Sequence, residues 1–167
     1  DDYVLTADGA GAAAWEAAGG GGASAIGELS DATTVATDNL GLGTGAGDSL
    51  SGADSNTLVG IDAGTAIVAG DGNTALGYKA LESATGLKYC TAIGNKAGDS
   101  FNSAWSATLI GNYAGADSTS AGLIALGNYA LKNSASYGAI GIGENAGQYT
   151  QGNYTLAIGD NALKGPS

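Results

Sequence analysis

Histidine, arginine and methionine do not occur in this sequence of 167 residues, and five lysines face 16 acidic residues. Without histidine there is no imidazole acid–base chemistry and no histidine-ligated metal. Without arginine there is no planar clamp for phosphate, and a net charge of −11 leaves no basic face for nucleic acid. Serine, threonine and cysteine nucleophiles lack a histidine or other basic partner to activate them, so covalent catalysis is not expected. Large apolar side chains are scarce too. Leucine, isoleucine, valine and phenylalanine total 29, against 64 alanines and glycines. Such a chain cannot fill an ordinary layered core, and composition and charge alone would class it as disordered.

A single cysteine, Cys90, excludes an intrachain disulfide. Two readings remain for it: a small apolar residue in a packed position, or a contact between chains. No run approaches the ~20 apolar residues of a membrane-crossing helix, so membrane insertion is not expected. The start, Asp1-Asp2-Tyr3, has neither an initiator methionine nor a basic-then-apolar leader, and reads as a processed product or a piece of a longer chain.

What the sequence does contain is an internal repeat, and its order contradicts disorder. Clear copies are Thr57-Leu-Val-Gly-Ile-Asp-Ala-Gly64, Thr74-Ala-Leu-Gly-Tyr-Lys-Ala-Leu81, Thr91-Ala-Ile-Gly-Asn-Lys-Ala-Gly98 and Thr108-Leu-Ile-Gly-Asn-Tyr-Ala-Gly115. Three more are Ile124-Ala-Leu-Gly-Asn-Tyr-Ala-Leu131, Ile140-Gly-Ile-Gly-Glu-Asn-Ala-Gly147 and Leu156-Ala-Ile-Gly-Asp-Asn-Ala-Leu163, and Leu40-Gly-Leu-Gly-Thr-Gly-Ala-Gly47 is a degenerate first copy. The anchor glycines are Gly43, Gly60, Gly77, Gly94, Gly111, Gly127, Gly143 and Gly159, spaced by 17, 17, 17, 17, 16, 16 and 16 residues.

Leu42, Val59, Leu76, Ile93, Ile110, Leu126, Ile142 and Ile158 directly precede the anchors. Threonine or an aliphatic residue stands two positions earlier, and this period of two predicts a strand. The anchor permits a sharp bend or the close approach of a second backbone. Three residues on, alanine fills every copy from Ala46 to Ala162, so that position points into a space that admits only a methyl group. Asn, Asp, Ser and Gly supply the turns. Sixteen or seventeen residues suffice for two short strands and two bends. Stacked copies then give an all-β parallel β-roll, or β-solenoid, of eight coils and roughly 38 Å. Its expected interior is a column of the Ile, Leu and Val before the anchors, flanked by the alanine column. Glycine inside every copy disfavours helices.

The Ala-Ile-Gly-x-x-Ala pattern, at Thr91 to Gly98 and Leu156 to Leu163, resembles the head repeat of trimeric autotransporter adhesins. That resemblance implies a left-handed parallel β-roll assembled as a trimer. The longer string from Asn73 to Gly86 is closer to repeats of bacteriophage tail fibres and related filamentous surface proteins. The resemblance covers about residues 40–163. The adhesin repeat is a few residues shorter, and the stalk and membrane anchor of that family are absent, which favours the phage-type or another filament.

Residues 1–17 read as a hairpin-like fibre segment, with strand-like runs around Asp8-Gly9 and a terminal Trp15; the string also resembles a short segment of phage tail fibres. Residues 18–39, with Gly19 to Gly22, read as a linker and connector. The repeat rod then occupies residues 40–167.

Asp62, Asp71, Asp99, Asp117 and Asp160 fall mostly at bends and read as solvated turn residues. The Gly-Gly-x-Gly-x-Asp nonapeptide of calcium-binding rolls is missing, so neither a metal nor a cofactor is expected. Thr57, Thr74, Thr91 and Thr108 share one repeat position, as in an ice-binding ladder. That column gives way to Ile124, Ile140 and Leu156, which is read as evidence that it faces inward. Asn112 and Asn128 stack with Tyr113 and Tyr129 beside them, either as a sugar-stacking receptor surface or as ladder packing and subunit contact. Trp105, Tyr137 and Tyr154 lie where coil length varies and partners are expected to touch. Asn153-Tyr-Thr155 is the lone glycosylation sequon.

The expectation is a non-enzymatic structural protein, a shaft or adhesive segment of a phage tail fibre or extracellular filament, in a virion or at a cell surface. Its first partner is itself, as homotrimer or open filament, because one thin coil encloses too little apolar surface. A host-glycan-binding adhesin module and an ice-binding solenoid are the alternatives.

Overall fold

The computed structural model describes residues 3–7, 13–17, 32–33, 38–102 and 105–166. β1 (Tyr3–Ala7) and β2 (Ala13–Ala17) pair antiparallel, with Tyr3 opposite Ala17. The other nine strands form one sheet in strict chain order: β3 (Ala32–Thr33), β4 (Leu40–Leu42), β5 (Thr57–Val59), β6 (Thr74–Leu76), β7 (Thr91–Ile93), β8 (Thr108–Ile110), β9 (Ile124–Leu126), β10 (Ile140–Ile142) and β11 (Leu156–Ile158). β4 to β11 are parallel and make an all-β solenoid of eight stacked strands and about seven turns. β3 instead runs antiparallel to β4, Ala32 opposite Leu42. The stretch 18–39, read as linker and connector, therefore contributes a strand to this sheet. Residues 18–31 and 34–37 lie outside the described residues.

The change of period does not disturb the ladder. Thr91 pairs with Thr108, 17 residues on, and Thr108 pairs with Ile124, 16 residues on, each in unbroken register. The missing residue comes out of the loop that leads to each strand. That loop is five residues long at 51–55, 68–72 and 85–89, and four at 119–122, 135–138 and 151–154.

Each coil bends twice after its strand. The anchor carbonyl accepts a hydrogen bond from the alanine three residues on, as from Ala63 N to Gly60 O at 3.2 Å. The third residue of that turn is left-handed in every copy, with φ from 51° to 57° at Asp62, Lys79, Lys96, Tyr113, Tyr129, Asn145 and Asn161, as a type II turn demands. A second turn closes from Ile67 N to Gly64 O at 3.1 Å and from Phe101 N to Gly98 O at 2.9 Å. Both roles foreseen for the anchors are realised. Their φ values are +115° to +137°, and a Cβ on any anchor from Gly43 to Gly143 would fall 2.4–2.7 Å from the backbone of the anchor in the next coil.

The interior is lined on one wall by Ala46, Ala63, Ala80, Ala97, Ala114, Ala130 and Ala146, all fully buried as expected. The opposite wall is the middle residue of each strand: Gly41, Leu58, Ala75, Ala92, Leu109, Ala125, Gly141 and Ala157 are buried. The expected column of Ile, Leu and Val before the anchors is therefore not the interior. Leu76, Ile110 and Ile158 are 46 %, 39 % and 63 % exposed. The threonine column is outward as well, with Thr57 and Ile124 exposed, which overturns its inward reading. The reason is steric. The narrow interior takes glycine or alanine at most strand centres and leucine only at Leu58 and Leu109, opposite Gly64 and Gly115, and in a period-two element turning one residue inward turns its neighbours on either side outward.

Polar ladders run inside the solenoid beside the apolar ones. Asn56 Nδ2 donates to Asn39 Oδ1 at 2.9 Å and to Gly70 O at 2.8 Å. Asn73 Nδ2 repeats this toward Asn56 Oδ1 at 3.0 Å and Leu87 O at 2.8 Å. Each Oδ1 also accepts the next backbone N–H, so the ladder ends where Asn73 Oδ1 receives Cys90 N at 3.0 Å. Cys90 occupies the following place in that column, fully buried, and burial pushes its thiol up to about 11. It is the packed residue of the two sequence readings, and another chain has no access to its sulfur. In the later coils Ser118, Ser134 and Thr150 form a second ladder, with Ser134 N donating to Ser118 Oγ at 3.1 Å.

Candidate functional site

Because strand centres point inward, two columns of side chains stand outward on the sheet. One is Leu40, Thr57, Thr74, Thr91, Thr108, Ile124, Ile140 and Leu156, and the other is Leu42, Val59, Leu76, Ile93, Ile110, Leu126, Ile142 and Ile158. No charged residue interrupts them. The face measures about 34 Å by 10 Å from strand spacing and rise. On a chain of net charge −11, an uncharged surface of that extent is a candidate place of interaction. Its two halves differ. Threonine stands beside an aliphatic residue from Thr57 to Ile110, and both columns are aliphatic from Ile124 to Ile158.

On a turn column away from this face, the structure brings together all four candidate contact residues. Asn112 Nδ2 donates to Asn128 Oδ1 at 2.9 Å, and Asn128 Nδ2 continues to Glu144 Oε1 at 3.1 Å. Tyr113 and Tyr129 stack with ring centroids 5.3 Å apart and planes 12° from parallel. Lys132 Nζ lies 4.8 Å from the Tyr113 centroid, and Lys96 Nζ lies 5.5 Å from it. The Tyr113 phenol beside Lys96 is the main cause holding that lysine's pKa above its ordinary value. Amides that pair with one another and rings that stack on each other and on ammonium groups have little left to offer a sugar. The patch reads as ladder packing.

A third surface is the loop corner before each strand. Five positions before the anchor stand Asp38, Ser55, Gly72, Tyr89, Ser106, Gly122, Gly138 and Tyr154, every one left-handed. Tyr89, Trp105, Tyr137 and Tyr154 are all more than half exposed here. Tyr137 and Tyr154 meet edge-to-face at 5.9 Å. Between Tyr89 and Gly122 lies a cavity of about 250 Å³, lined by Tyr89, Ser106, Ala107, Thr108, Gly122, Leu123 and Ile124. Sequence reasoning passed over Tyr89. The signal was its place in a column whose neighbours, Gly72 and Ser106, are small.

The aspartates at bends mostly meet lysines. Lys88 Nζ lies 2.7 Å from Asp71, Lys79 is 3.8 Å from Asp62, Lys96 is 3.6 Å from Asp99, and Lys132 is 3.7 Å from Asp117. Asp160 accepts from Asn161 Nδ2 at 2.9 Å. The hydrogen bond from Lys88 lowers the Asp71 pKa and raises that of Lys88. Among the described residues no cluster of three or more cysteine or carboxylate groups is placed to hold a metal ion. Comparison with protein-family models, curated proteins and solved structures finds no match for this chain.

Proposed function

We propose that the chain is a structural, non-enzymatic segment of a fibre, a shaft or adhesive portion of a phage tail fibre or extracellular filament, assembled by covering the outward sheet face with the same face of further copies. The observation that carries this reading is that face: sixteen threonine and aliphatic side chains in two straight columns, without a charge. Its aliphatic half is too apolar to stand in water at no cost, since each buried aliphatic side chain is worth about 1.5–3 kcal/mol. Threefold closure is the geometry implied by the resemblance to adhesin heads and fibre repeats. The interior gives the same reason from its own side, for a thin coil filled by alanine and a few larger apolar side chains, such as Leu58 with Ile67 or Leu81 with Leu87, buries little.

The test is the native mass by light scattering, for the wild type and for Ile142→Asp. A discrete particle of three chains that Ile142→Asp converts to a folded monomer supports the reading, and an open distribution of threads assigns the same face to a filament. A wild-type monomer near 16.0 kDa overturns it.

One second reading is favoured by a specific observation. Thr57, Thr74, Thr91 and Thr108 point outward at the regular strand spacing beside Val59, Leu76, Ile93 and Ile110, an arrangement suited to an ice plane. A monomer that shows thermal hysteresis, lost in Thr91→Lys, decides for ice binding.

A further inference from the structure

The left-handed column at the loop corner is a row of alternating covers and gaps. The Tyr89 ring lies across Gly72, where an added Cβ would meet Tyr89 Cδ1 at 2.9 Å. In the same way the Tyr154 ring lies across Gly138, at 3.1 Å from the position of an added Cβ. Ser106 and Gly122, between these two pairs, are exposed and have no such ring across them among the described residues. The result is a gap two rungs long, about 10 Å at strand spacing, with Tyr89 at one end. It coincides with the cavity of about 250 Å³ and with the step at which the loop shortens from five residues to four.

We infer that this notch is a binding site for one neutral pyranose ring of a glycan. Tyr89, 62 % exposed, presents an aromatic face on which the C–H face of a sugar can stack. Ser106 and Thr108 line the cavity with hydroxyl groups, and Ala107, Leu123 and Ile124 supply its apolar floor. The depression is shallow and open to solvent, so it would seat one ring on its surface rather than enclose it. The class of sugar follows from charge. The lysine beside Tyr89, Lys88, is engaged with Asp71 at 2.7 Å, and neither a cation nor an anion lines the cavity. A sialic acid or a sulfated sugar would bring a carboxylate or sulfate with no counter-charge onto a chain of net charge −11. The notch shares Thr108 and Ile124 with the edge of the outward sheet face, so the site requires that assembly leave this edge of the face uncovered, and native mass is measured on the same samples.

The column supplies its own controls. Tyr89→Gly installs the residue found at Gly72 and Gly138, and Gly122→Tyr, made throughout together with Ser106→Gly, reproduces the pair of Gly72 and Tyr89, since a Cβ beneath that ring would lie 2.9 Å from it. Ligand-observed NMR and calorimetry on the native protein, with methyl glycosides of glucose, galactose and mannose and with N-acetylneuraminic acid as the charged probe, make the test. At least one neutral glycoside binds with about millimolar affinity, as befits one ring on one aromatic. Tyr89→Gly weakens it about tenfold, and Gly122→Tyr, whose ring fills the gap, abolishes it at unchanged native mass. The inference is overturned if no neutral glycoside binds, if binding survives Gly122→Tyr, or if N-acetylneuraminic acid binds better than the neutral probes. Loss of binding together with a changed native mass also counts against it, because it would trace the effect to assembly rather than to the notch.

Discussion

A Cβ placed on Gly115 would lie 2.5 Å from Cδ2 of Leu109, which reaches it across the interior of the same coil. Between the strand centre and the residue four after the anchor the interior has room for one leucine, and the two walls share the task of supplying it. In the coils of Leu58 and Leu109 the strand centre provides the leucine, and the residue four after the anchor is Gly64 or Gly115. In the coils of Leu81 and Leu131 that later position provides it, and the strand centre is Ala75 or Ala125. All four leucines are fully buried.

The exchange can be made by design. Leu109→Ala is expected to cost about 2–5 kcal/mol through the cavity it leaves. Gly115→Leu alone is expected to cost at least about 3 kcal/mol, by overpacking against Leu109 at a left-handed φ of 64°. The double variant reproduces the Ala125 and Leu131 arrangement. Chemical denaturation should show it more stable than the sum of the singles by more than about 1 kcal/mol. Strict additivity would contradict the shared-space account.

The anchor ladder predicts a contrast along the rod. At Gly94 an added methyl meets Gly111 O at 2.5 Å as well as an unfavourable φ of 135°, whereas at Gly159 it meets nothing within 4 Å. Gly94→Ala should cost about 4 kcal/mol or more. Gly159→Ala should cost only the conformational part, about 1–3 kcal/mol. Thermal unfolding of the two variants side by side measures the difference.

Removing a rung of the asparagine ladder leaves donors and acceptors buried without partners. Asn73→Ala withdraws bonds to Asn56, Leu87 O and Cys90 N, and a loss of about 2–4 kcal/mol is expected. Amide hydrogen exchange gives the finer check: the Cys90 N–H should lose more protection than the Thr74 N–H, which bonds Cys90 O at 2.8 Å in either case.

Cys90 is expected to be inert in the folded protein and reactive when unfolded, as followed by a chromogenic disulfide reagent at pH 8 with and without denaturant. Its pKa is raised from 9.0 to about 11 by burial. Folding therefore keeps the proton that the unfolded thiol releases, and the stability contributed by this group is lost as pH rises from about 9 toward 11. Cys90→Ala should flatten that part of the pH profile.

Much of the coil could be read from the sequence because glycine and alanine leave no choice. A φ beyond +115° and a backbone closer than 3 Å admit only glycine at Gly60 or Gly94, and Ala63 or Ala97 can point nowhere but inward. The strand positions were equally plain. Their facing was not, because Ile93 and Ile110 are apolar and apolar residues are ordinarily placed inside. The evidence against that lay one residue away. Ala92, Leu109 and Gly141 form the column with small members, the same signature that identified the alanine wall, while threonine shares its column with isoleucine only where both can face out. The paired patch at Tyr113 and Tyr129 was visible as a ladder. The notch at Tyr89 was hidden, since it depends on which neighbours are missing rather than on a motif.

The loop that gives up a residue between the coil of Gly94 and the coil of Gly127 also tells an engineer where this scaffold is elastic. Strand register, both turns and the alanine wall pass through the change without a shift, so the corner at 119–122 behaves as an expansion joint. Peptides grafted there would project from a straight edge at multiples of about 4.8 Å, turning the coil count into a ruler for spacing displayed epitopes.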